Sequence, residues 1–199
     1  MAGARTFDPV TVGRRECDAW VAYYRREWRP FLAASVGLVR AAFGMNARRT
    51  LAGAWLVLRA NQEWAPYPDN DPDLARELMR RFYVLVAEDG NPTLDPAEAA
   101  RREVEWWRIH RVHQREDGVT EDDLTRAVGD LYAYVYGIGA GSVADAARLR
   151  VLAMRLSDGW VRDGCDLASP VLAEERRSLV ASYSSLRDAI DRSVAASSG

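Results

Sequence analysis

The chain has 199 residues, 48% of them hydrophobic and 28% charged, with a formal net charge of −2. This is enough apolar material for one sizeable core, so a second domain is not required. Acids and bases are interspersed without a long single-sign run, which argues against nucleic acid or a membrane surface as a partner.

Residues 1 to about 15 carry Pro, Gly and Thr without period and read as a flexible arm, and residues 16–195 as the folded domain, with 196–199 as a frayed tail. The amino-terminal stretch lacks an apolar signal-peptide core, which leaves the cytoplasm as the expected compartment. A first helix is predicted from about Cys17 to Ala42, with Trp20, Tyr24, Phe31 and Leu38 on one arc. Pro30 removes a backbone donor in its middle, so a kink or break is expected near Arg26 to Pro30. Glu27 falls inside the aromatic arc and is expected to point inward.

Gly44 and Asn46 stop that helix, and a second runs to about Glu63. TLAGAWLVLRA shows no polar side except Arg59, so this helix is expected to be covered all round, with Arg59 as partner for an inward carboxylate. Its Leu51 to Leu58 run is the longest apolar one and is far short of a bilayer span. After the WAPYPDND loop, Asp71-Pro72 opens a third helix to about Ala87, with Leu74, Leu78, Phe82 and Leu85 as its stripe.

Asp95, Pro96 and Glu98 read as N-cap, first helical residue and return acid of the fourth helix, DPAEAARREVEWWRIHRVHQ. Arg101, Arg108 and Arg111 are expected in solvent and Trp106 and Trp107 in the core. Glu103 and His110, two turns apart, then lie on the buried face, where an unpaired carboxylate costs several kcal/mol. Thr120 and Asp123 form a capping box for a fifth helix ending near Tyr136, in which Tyr132, Tyr134 and Tyr136 cannot all be hidden. GIGAG is a helix breaker. It follows a helix and has no dinucleotide spacing. Ser142 with Asp145 caps a sixth helix to about Arg162. Ser169-Pro170 opens the last, whose Leu172, Leu179, Leu186 and Tyr183, Ile190 repeat at seven residues, a seam for another helix or a second copy of the chain.

The elements therefore predict an all-α, single-domain bundle of six or seven helices. All 27 basic residues are arginine, which removes Schiff-base and Walker-type lysine chemistry and, with much Ala, Asp and Gly, suggests GC-rich coding in a high-GC bacterium. Cys17 and Cys165 are too few for a disulfide framework or a zinc site and read as free thiols. No cofactor or metal is assigned: neither histidine has the ExxH spacing of a di-iron bundle, and no nucleophile motif occurs.

Two functions of different class follow. The first is a non-catalytic binding or assembly module, its ligand a small apolar or aromatic molecule held by Trp20, Tyr24, Arg59, Trp106 and Trp107, or its partner another protein chain, with homodimerisation expected. The alternative is an enzyme in which Glu27, Glu103 and His110 converge for acid–base or mononuclear metal chemistry.

Overall fold

A computed structural model describes residues 6–116 and 118–197, and the described residues form eight α-helices joined by short connections, without a strand. The helices are α1 Pro9–Tyr24, α2 Trp28–Phe43, α3 Ala47–Trp64, α4 Pro72–Gly90, α5 Pro96–Arg115, α6 Glu121–Tyr136, α7 Ala144–Arg162 and α8 Val171–Ser197, with a 3-10 turn at Ala140–Val143. Their boundaries follow local chemistry. Asp8, Asn46, Asp71, Asp95 and Thr120 each accept a backbone N–H of the first turn. Pro9, Pro72 and Pro96 occupy positions whose amide has no intrahelical acceptor to lose. Gly44 and Gly137 end α2 and α6 in the left-handed conformation (φ 66° and 64°) that glycine adopts without steric cost. Thr120 and Asp123 form the expected reciprocal capping box.

Each helix packs against the next in sequence, and α8 closes back on α1. The apolar stripes therefore all face one axis, where Val12, Leu124, Met154, Leu186 and Ile190 are fully buried. No helix of the described residues is long and apolar enough to cross a membrane.

Several expected details are corrected. The first helix begins at Pro9, inside the segment read as an arm, because Asp8 caps it and Phe7 is buried against Tyr136 and Tyr183. Residues 1–5 of that arm lie outside the described residues. The break expected near Arg26 to Pro30 is present and divides the predicted long helix into two. The chain breaks at Arg26 (φ 60°), which places Pro30 in the first turn of α2, where proline is tolerated. On α3, Leu51 (60%) and Trp55 (54%) are exposed, so this helix is not covered all round. As expected, the three tyrosines are not all hidden: Tyr132 and Tyr136 are buried, while Tyr134 is half-buried under the Arg102 guanidinium. Helix α8 continues to Ser197, through part of the expected frayed tail; residues 198 and 199 are outside the described residues.

Candidate functional site

On the axis of the ring lies a cavity of about 180 Å³. Every helix contributes to its wall: Trp20 from α1, Phe31 from α2, Val57 from α3, Phe82 from α4, Trp106 from α5, Tyr132 from α6, Arg150 from α7 and Tyr183 from α8. Three charged side chains, Glu16, Glu103 and Arg150, stand in a surface that is otherwise aromatic and aliphatic apart from Ser35 and Asn61.

Helical spacing builds the Glu103 end. Residues 103, 106 and 107 share one face of α5, so the carboxylate reaches forward one turn and meets both indoles. Glu103 Oε1 accepts from Trp106 Nε1 and Trp107 Nε1, each at 3.1 Å, and Oε2 accepts from the Tyr83 hydroxyl of α4 at 2.7 Å. Burial, together with the Glu103 charge and hydrogen bond, holds the Tyr83 phenol well above its ordinary range, so its proton stays on the donor.

At the other end Arg150 makes a short ion pair with Glu16 through Nη2, while Nη1 donates to Tyr132 at 2.8 Å and Tyr183 at 3.4 Å. Its guanidinium lies 5.1 Å from the Trp106 ring centre, 5.7 Å from Trp20 and 5.6 Å from Tyr132. Burial works against the charge, but Glu16 foremost, then Tyr132, Tyr183 and Glu103, hold Arg150 protonated, with a pKa well above the ordinary arginine value.

Of the residues singled out from the sequence, Trp20, Glu103, Trp106 and Trp107 line the cavity. Four others do not, and the expectations placed on them are corrected. Glu27 precedes α2 and pairs with Arg25 at 2.9 Å, its side chain 41% exposed, because the chain break turns it away from the arc that a continuous helix would have imposed. Arg59 is 43% exposed and pairs with Glu63 one turn on, at 2.7 Å, so it needs no inward acid. Tyr24 accepts a long 3.4 Å hydrogen bond from Gln114 away from the cavity.

His110 lies near the Trp106 ring with its Nε2 3.2 Å from Asp158 of α7, whose other oxygen takes the Gln114 amide at 2.6 Å. The structure thus gives Glu27, Glu103 and His110 three separate sets of partners. Among the described residues no group of three or more His, Cys, Asp or Glu side chains is placed to hold a metal ion. Arg101 and Arg108 are exposed as expected, whereas Arg111 is half-buried, stacked 4.2 Å from the Trp64 ring centre and donating to the Trp64 carbonyl.

The sequence reading missed Glu16 and Arg150. Arg150 falls on the buried line of α7 with Ala147, Val151 and Met154, so spacing alone marks it as an inward cation. Glu16 joins the line Val12, Glu16, Ala19 and Trp20 only when α1 starts at Pro9.

No family model, no curated protein and no solved structure matches this chain.

Proposed function

We propose that the chain is a non-catalytic binding module that takes a small apolar or aromatic ligand into the centre of its helical ring. The observation that supports this most is the single cavity of about 180 Å³ to which all eight helices contribute. An apolar cavity of about 150 Å³ accepts benzene, so this one has room for a single substituted ring. A mainly apolar wall with a few fixed polar groups is the usual make-up of a small-molecule site. Glu103, held by three donors, and Arg150, held by Glu16 and two tyrosines, are such groups.

Trp20, Trp106 and Trp107 line the cavity, so intrinsic fluorescence reports its occupancy. Titration with ethylbenzene is expected to give a saturable fluorescence change and a higher melting temperature. The Ser35→Leu chain should lose both while keeping its helical circular dichroism. Ser35 lines the cavity and its buried hydroxyl has no hydrogen-bond partner, so leucine fills space without breaking a bond. A linear, unsaturable response of the unsubstituted chain to ethylbenzene and to charged molecules of its size alike would overturn the proposal.

Assembly as a homodimer belongs to the same proposal, and its support shifts. The seven-residue repeat of α8 is buried within the chain, between α1 and α7. Leu51 and Trp55, one turn apart on α3, form an exposed apolar pair available to a second copy. A light-scattering mass of 22.3 kDa at micromolar concentration would count against it.

A further inference from the structure

The cavity wall carries two carboxylates and one guanidinium. Glu16 and Arg150 form an ion pair, and Nη1 of Arg150 donates to Tyr132 and Tyr183, while Arg150 Nε and Glu16 Oε2 have no hydrogen-bond partner among the described residues. Glu103 receives neutral partners only. Two are indole N–H groups, which can donate and never accept, and the third is the Tyr83 phenol. These three bonds use three of the roughly four acceptor directions of a carboxylate and bring no cation into contact with it, Arg150 acting on it only through space. The aromatic rings of the same wall already hold a cation, since the Arg150 guanidinium lies over Trp20, Trp106 and Tyr132. An anionic ligand would meet the Glu103 charge, and the one guanidinium of the wall already faces the Glu16 carboxylate.

We propose that the ligand is a small aromatic or apolar molecule bearing one ammonium group, with the ring among the wall aromatics and the ammonium at Glu103. This rests on the cavity being a binding site. An incoming ammonium matches a carboxylate that no cation among the described residues contacts, whereas a neutral molecule of the same shape gains only apolar contact.

Three probes of nearly equal size decide it: benzylammonium, its neutral isostere ethylbenzene, and benzoate, each titrated into the full chain by calorimetry and tryptophan fluorescence. Benzylammonium is expected to bind about tenfold tighter than ethylbenzene, with benzoate weakest. In Glu103→Gln the preference should vanish while ethylbenzene binds as before. The order of the three probes on the unsubstituted chain decides the point even if that variant does not fold. Ethylbenzene binding as tightly as benzylammonium, or benzoate binding best, overturns the ammonium assignment and leaves the binding site standing. Failure of all three to saturate overturns the binding site itself.

Discussion

Arg150→Met removes the guanidinium from the cavity wall and strands Glu16 among aromatic rings. Breaking one partner of a buried pair costs about 3–5 kcal/mol, while replacing both by apolar or neutral groups costs far less. Urea unfolding should therefore show a large loss for Arg150→Met and a smaller one for the Glu16→Gln/Arg150→Met double variant. Strictly additive losses would mean that the two are not coupled. Glu175, fully buried beside Cys17 and Ser157, has neither oxygen in a hydrogen bond of normal geometry. Burial pushes its carboxyl from 4.5 up to about 7, with Ser157 and Cys17 pulling only partly the other way. The folded chain thus binds this proton more tightly than the unfolded chain. Stability contributed here is complete below 4.5 and is lost as pH rises to about 7, by about 3 kcal/mol in all. The difference in stability between the natural chain and Glu175→Gln, measured from pH 4 to 8, should follow that sign. A pH-independent difference would show that Glu175 does not titrate in this window.

Helix starts and stops were the most legible feature, since a cap depends on neighbours in sequence. Asp71-Pro72, Asp95-Pro96, Thr120 with Asp123, Gly44 and Gly137 all mark the boundaries expected of them, whereas Ser142 lies in the 3-10 turn and α7 starts at Ala144 without a side-chain cap. Asp8-Pro9 carries the same signal, but Thr11 and Gly13 dilute the helical pattern that follows it. The reason for Gly13 is tertiary: a Cβ there would lie 2.7 Å from the Val180 backbone nitrogen of α8. Gly13→Ala should destabilise the chain by about 1–3 kcal/mol despite alanine's better helix propensity, because backbone rather than a movable side chain blocks the space. Thermal melting is the check, with Thr120→Ala, expected to cost about 1 kcal/mol through its lost cap, as the reference. Apolar pattern was less dependable. On α3 it marked Leu51 and Trp55 as covered, though they face outward, because periodicity cannot tell which side of a uniformly apolar helix meets its neighbours.

At the level of the molecule, the all-α bundle was legible and the ring was not. Short connections make consecutive helices neighbours, and seven of the eight junctions follow from that rule. The eighth, α1 against α8, depends on contacts between residues far apart in sequence. It includes Arg176 to Asp18 at 3.3 Å and Arg187 to the Phe7 carbonyl at 3.1 Å. The candidate site was half legible for the same reason. Glu103, Trp106 and Trp107 belong to one face of one helix, whereas the Glu16–Arg150 pair spans 134 positions.

That one distant junction also sets an order in time. Seven helix pairs meet across short loops, and the α1–α8 seam is formed across nearly the whole chain, so it pays the largest closure entropy. Contacts that form last speed unfolding when they are weakened and leave the folding rate almost unchanged. Gly13→Ala, on the seam, should thus move the unfolding arm of a chevron plot, while Thr120→Ala, between adjacent helices, draws on interactions available earlier. Because Glu16 comes to Arg150 only as the seam closes, a bound ligand should act as a latch, lengthening the lifetime of the folded chain without hastening its formation.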